Sequence, residues 1–238
     1  VINDRGKPLV NIEKTKSYLI SKLNLINQSN PTLIRNIDKN LKRINNIYAN
    51  IYSKFEAAIQ FGLKVRDEDT IQRAHFTYWH RATEARFQRI QGIVKGYDKR
   101  GKYRVKVARD KYYEVIKEDV ENLFRNQKHQ EIISEYIEDY FTDLNDCFNA
   151  LYNFATRANN LTVQVLIRNT QLNTYPVKAL VEIFPITNLL PLILIVEKKF
   201  GNQKINQKLI SEFYRLLEVY IVRALGKGRP RGLHKIWS

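Results

Sequence analysis

The segment IRNIDKNLKRINNIYANIYSKFEAA, Ile34 to Ala58, decides the fold class. Its apolar positions, Ile34, Ile37, Leu41, Ile44, Tyr48, Ile51, Phe55 and Ala58, alternate in steps of three and four. Only a helix brings such positions onto one face, and the spacing is that of a coiled-coil seam. Upstream, Leu9, Ile12, Leu19, Leu23 and Ile26 form a second stripe. Ser29, Asn30 and Pro31 separate the two, with proline placed for a first helical turn. The pair reads as an intramolecular hairpin, with a dimerising coiled coil as the alternative.

The same period recurs downstream. A helix is expected from Asp69 to Gln91, with Phe76, Trp79, Thr83, Phe87 and Ile90 on one face. Another is expected from near Arg109 to Asn126. A long one, Glu131 to Ala158, has the seam Ile133, Ile137, Tyr140, Leu144, Cys147, Leu151, Phe154 and Ala158. Glu131, Glu135, Glu138, Asp139, Asp143 and Asp146 give it an acidic outer face.

After Asn159-Asn160 the pattern changes. Leu161–Arg168, Val177–Phe184 and Leu192–Phe200 are rich in Val, Ile and Leu, and read as three strands. Asn206–Leu225 reads as an amphipathic helix with Leu209, Ile210, Phe213, Leu216, Leu217, Tyr220 and Ile221 apolar. The expected fold is therefore mainly α. Long antiparallel helices (1–158) precede a small α+β unit of three strands and a helix (159–225), and residues 226–238 form a basic tail.

Charge then narrows the function. The 238 residues carry a formal net charge of +16, with 44% hydrophobic content. That apolar content excludes disorder throughout, and no apolar run approaches the length of a membrane span. No secretory signal is visible at the N-terminus. The single cysteine, Cys147, excludes an internal disulfide and a cysteine-rich zinc site. Residues 72–111 hold twelve basic and three acidic side chains, a net of +9, whereas 114–146 hold three basic and ten acidic, a net of −7. A basic binding face and an acidic face, 114–146, turned toward a protein neighbour follow from this blocking.

The densest basic run is Lys95 to Tyr113. It contains Lys95, Lys99, Arg100, Lys102, Arg104, Lys106, Arg109 and Lys111, interleaved with Tyr97 and Tyr103. Lysine and arginine neutralise phosphates and release counterions, and tyrosine faces stack on bases. From Lys102 to Val107 charge and apolarity alternate, so Lys102, Arg104 and Lys106 share one side of an extended segment. A basic hairpin or loop is the expected conformation, and a continuous helix the competing one. Arg81, Arg86 and Arg89 on the preceding helix add charge of the same sign. So do Lys227, Arg229, Arg231 and Lys235 in the tail. The tail's Gly-Arg-Pro core resembles the minor-groove AT-hook over four to six residues.

A catalytic reading competes. The apolar stretch Leu192–Val196 followed by Glu197-Lys198-Lys199 looks like the core of the PD-(D/E)xK nuclease family. The resemblance implies that Glu197 and an upstream acid hold Mg²⁺ while Lys199 activates water, and Glu182 is the available acid. The family's usual aspartate is absent. His75, His80, His129 and His234 are scattered, and no HExxH, Walker loop, GxGxxG or GxSxG occurs.

The expectation is a non-enzymatic RNA-binding structural protein of a ribonucleoprotein, without cofactor or metal, with DNA as second choice of target. Richness in Asn, Ile, Lys and Tyr matches AT-rich codons and favours an organellar, mitochondrial ribosomal protein. A viral or retroelement nucleocapsid protein and the Mg²⁺-dependent nuclease are the alternatives.

Overall fold

The computed structural model describes residues 10–29, 37–86, 111–125, 130–168, 186–201 and 207–226. Among these the protein is almost wholly helical. The helices are α1 (Asn11–Ser29), α2 (Ile37–Gln60), α3 (Glu68–Arg86), α4 (Tyr112–Arg125), α5 (Gln130–Arg168), α6 (Leu190–Phe200) and α7 (Gln207–Gly226). One 3₁₀ turn, Ile186–Asn188, leads into α6. No described helix is long and apolar enough to cross a membrane. The chain divides into two compact units, 1–49 with 72–144 and 50–71 with 145–238.

In the first unit α1 and α2 form the expected hairpin. Ile12, Thr15, Leu19, Leu23 and Ile26 are buried on α1, and Ile44 and Tyr48 on α2. The Tyr48 hydroxyl donates to the Ile12 carbonyl across the pair (3.3 Å), and the Lys16 ammonium lies over the Tyr48 ring. On the N-terminal part of α5, Ile133, Ile137, Tyr140 and Leu144 are buried as the seam requires.

The acidic face of α5 is not uniformly an outer one. Glu135 and Glu138 are exposed, but Asp139 accepts the Trp79 indole N–H (2.9 Å). Asp143 lies 3.1 Å from Nε2 of the fully buried His75. Further polar groups enter the same core. The buried Gln72 amide donates to the Tyr140 hydroxyl and accepts from the Tyr112 hydroxyl, and Tyr136 donates to Asp119. Burial, then the Asp119 charge, holds the Tyr136 phenol well above its ordinary pKa. Trp79 packs edge-on against Tyr136 and Tyr140, with ring centroids at 5.3 and 5.0 Å, and His75 stacks on it at 5.9 Å. Polar side chains tolerate such a core only when hydrogen-bonded.

In the second unit α2 ends at a Schellman turn. Gly62 has φ +92°, a conformation that a β-carbon disfavours. The Leu63 amide donates to the Ala58 carbonyl and the Gly62 amide to that of Ile59. Leu63 and Ala58 are both buried, completing the motif. Asp67 then caps α3, accepting from the Thr70 amide (2.9 Å) and hydroxyl (2.7 Å).

Asn50 donates to Asn145 (2.7 Å) and contacts Asn149, Phe55 meets Phe148 and Phe61 meets Tyr152. These contacts ascend together, so α2 and α5 run parallel here, not antiparallel as expected. Three intervening segments separate the two helices in sequence, and nothing in their seams encodes direction.

Two expected strands are helical. Leu161–Arg168 continues α5, and Leu192–Phe200 lies within α6. Extending an existing helix costs no new nucleation, so β-branched residues and the Asn159-Asn160 pair do not stop α5. In α6, Leu190, Pro191, Ile193, Leu194 and Glu197 are buried, which is helical spacing, and Pro191 occupies the first turn. A short apolar run is ambiguous between strand and helix by periodicity alone. The third expected strand, Val177–Phe184, lies outside the described residues.

Trp79→Phe removes the donor to Asp139 and leaves a void between Tyr136 and Tyr140. It is expected to lower unfolding stability by about 2–4 kcal/mol, read from urea denaturation. The exposed Ser53→Ala is expected to change it by less than about 0.5 kcal/mol.

Candidate nucleic-acid interface and the helices that frame it

Most residues expected to meet nucleic acid lie outside the described residues: Arg89, Lys95, Tyr97, Lys99, Arg100, Lys102, Tyr103, Arg104, Lys106 and Arg109, and in the tail Lys227, Arg229, Arg231 and Lys235. Arg81 and Arg86 belong to the last two turns of α3. Lys111 is exposed, one residue before α4. What the structure describes is where the basic segment leaves α3 and how its C-terminal end is held, both within the first unit.

Its C-terminal end is fixed by Tyr112, which is fully buried. The Tyr112 ring packs on Phe76 at 6.0 Å, and its hydroxyl donates to Gln72 Oε1 (3.1 Å). Both partners belong to the N-terminal half of α3. Further along, Trp79 meets Tyr136, which bonds Asp119 of α4. Helices α3 and α4 therefore run parallel. A connection between parallel helices must return along their length. Phe76 and Arg86 are ten residues apart, about 15 Å along a helix axis. Residues 87–111 thus connect two helix ends that a short turn could not join.

Helix α1 braces α4 from another side. The Tyr18 hydroxyl donates to Glu121 (2.9 Å), the Lys22 ammonium pairs with the same carboxylate at 2.8 Å, and Tyr18 meets Tyr113 edge-on at 6.4 Å. The Lys22 bond, followed by that of Tyr18, holds the Glu121 carboxyl below its ordinary pKa. Burial and then the Glu121 bond hold the Tyr18 phenol far above its own.

The residues of the nuclease resemblance are differently placed. Glu197 is on a helix, not at a strand end. Its side chain is fully buried, and Oε1 and Oε2 each lie 3.2 Å from the Arg157 guanidinium. The Tyr214 hydroxyl donates to Oε1 at 2.8 Å. Arg157 also donates to the Gly201 carbonyl (3.1 Å), and the Gly201 amide to that of Glu197 (2.8 Å). A β-carbon at Gly201 would overlap the Glu197 carboxylate, which explains glycine there. Burial, then the Glu197 charge, raises the Tyr214 pKa well above its usual value. Lys199, two residues on and so about 200° around the helix, is exposed. Glu197 and Lys199 do not converge, and Glu182 lies outside the described residues. The arrangement ties α5, α6 and α7 together instead of presenting a carboxylate to a metal.

This clamp, the His75–Asp143 contact and the inward turn of Asp139 were not anticipated from sequence. A usable signal existed on α5: Asp139 and Asp143 are four apart and share a helix face with the core residues Tyr136 and Tyr140. Arg157 and Glu197 are forty residues apart, and no local pattern links them.

No protein-family model matches the chain, and neither a curated protein nor a solved structure is significantly similar to it.

Two outcomes follow from these contacts. Glu197→Ala strands a mostly buried guanidinium and is expected to cost about 3–5 kcal/mol, whereas Arg157→Met with Glu197→Leu should recover most of the loss; chemical denaturation of the three chains checks this. Glu121, with its pKa depressed on folding, contributes stability at pH above the unfolded carboxylate value and loses it as pH falls through the folded value. Glu121→Gln should therefore flatten the acid side of the stability–pH curve, measured by thermal melts at stepped pH.

Proposed function

We propose that this protein is a non-enzymatic RNA-binding structural component of a ribonucleoprotein. The observation that carries the reading is the concentration of positive charge over α3 and the segment that follows it: twelve basic against three acidic side chains over residues 72–111, within a chain of net charge +16. Anchorage of that stretch at Tyr112 supports the reading. A fixed end lowers the entropy lost when the stretch is ordered on a ligand.

Lys99, Arg100, Lys102, Arg104 and Lys106 neutralise phosphates, and Tyr97 and Tyr103 stack on unpaired bases. Arg81 and Arg86 of α3, with Arg89 just after it in sequence, add charge of the same sign, and Lys227, Arg229, Arg231 and Lys235 reach a second contact. Such contacts position the protein on folded RNA without reading sequence. A mitochondrial ribosomal protein is the instance that the Asn-, Ile-, Lys- and Tyr-rich composition fits.

The test is binding of labelled single-stranded RNA, duplex RNA and duplex DNA across a salt series with Mg²⁺ present. The proposal expects tight binding to RNA, a steep salt dependence and intact substrate. Replacing Lys102, Arg104 and Lys106 together by alanine should weaken single-stranded RNA binding and reduce the log–log salt slope by about 2. Unchanged affinity and slope would remove the segment from the interface, and Mg²⁺-dependent cleavage would overturn the non-enzymatic reading.

A further inference from the structure

Helix α7 is apolar on two faces, and only one of them is buried. Ile210, Tyr214, Leu217 and Ile221 pack inward in the second unit, 0–7% exposed. Leu209, Leu216 and Tyr220 stand out at 69%, 54% and 43% exposure. An isolated exposed leucine needs no explanation, but these three belong to one stripe. Leu209, Glu212, Leu216, Tyr220 and Arg223 succeed each other at steps of three, four, four and three. That is a helix-packing seam with an acid near its N-terminal end and a base near its C-terminal end. Glu212 and Arg223 are both exposed.

Glu212 and Arg223 are eleven residues apart, about three helical turns. An antiparallel two-fold pairing of two α7 helices sets Glu212 of each copy opposite Arg223 of the other. The same register brings Leu216 of each against Val219 and Tyr220 of its mate. Self-complementarity of this kind is what an isologous interface requires. Within its own helix Glu212 is gripped by Arg215, at 2.6 Å from Nη2 and 2.9 Å from Nε. That orients the carboxylate and leaves further lone pairs for a second guanidinium. A parallel pairing would oppose like charges at both ends.

We propose that the Leu209–Arg223 face of α7 is a homodimer interface, occupied by the same face of a second copy of this chain in antiparallel orientation. The inference is independent of nucleic-acid binding. One helix pair buries less than the roughly 1,200 Å² of a standard stable interface, so the dimer is a weak one, with Kd in the micromolar range. The chain's large positive charge opposes association at low ionic strength and is screened at moderate salt.

Sedimentation of the full chain without nucleic acid, at moderate salt and rising concentration, tests it. The wild-type chain should pass from monomer to dimer. Leu216→Glu, at an exposed position and with helix content unchanged by circular dichroism, should weaken association at least tenfold. Glu212→Arg and Arg223→Glu should each weaken it alone and recover it when the two chains are mixed, because both cross-pairs are then opposite in sign. A wild-type chain still monomeric near 100 µM, some hundredfold above a micromolar Kd, would overturn the proposal. So would association insensitive to Leu216→Glu, or charge-reversed chains that fail to recover on mixing.

Discussion

A buried indole N–H, a buried imidazole and a buried amide can share an aromatic core only if each meets a partner inside it. In the first unit α5 supplies those partners: Asp139 for Trp79, Asp143 for His75 and Tyr140 for Gln72. Each bond has a direction and a reach, so together they set the rotation of α3 about its axis, which apolar contacts alone leave loose. Through Gln72 and Phe76 the same network seats Tyr112, and with it the start of α4. Helix α4 is tied to α5 by Tyr136 and Asp119, and to α1 by Glu121. Loss of the α5 acceptors would therefore loosen three neighbours.

The parallel course of α3 and α4 is the link between this core and the proposed function. Antiparallel neighbours need only a few residues between them, and α4 ends at Arg125 with α5 beginning at Gln130. Parallel neighbours need a long return, and here the return coincides with the most basic stretch of the chain. The acidic block that follows is partly consumed in the core, since Asp119, Asp139 and Asp143 are spent on Tyr136, Trp79 and His75. The surface available to a basic protein neighbour is smaller than the sequence count of ten acids implies.

The second unit solves a different problem by similar means. A glutamate within an apolar helix would be costly, yet Glu197 accepts from Arg157 and Tyr214 and sits against a glycine that leaves room for it. A buried ion pair of this kind adds less net stability than specificity of arrangement. It sets the register of α6 against α5 and α7. The inner face of α7 is committed to that packing, and the outer face supplies the stripe from which self-association is inferred.

Helix identity was legible in the sequence wherever a seam ran long. Ile44, Tyr48, Ile51, Phe55 and Ala58 of α2, and Ile133 to Phe154 of α5, are buried as their spacing requires. Periodicity is a local property that a chain displays before it folds. The same reasoning failed at Leu161–Arg168 and Leu192–Phe200, where β-branched residues mimic a strand and the decision rests with an ongoing helix or a first-turn proline. The basic segment was legible as charge. Its anchorage was not, because Tyr112, Gln72 and Phe76 are brought together only by the packing of α3 beside α4. Helix direction, the inward turn of Asp139 and Asp143, and the pairing of Arg157 with Glu197 were decided by tertiary structure alone. Each depends on where a distant partner lies, and a one-dimensional pattern records composition and period but not the geometry between distant parts of the chain.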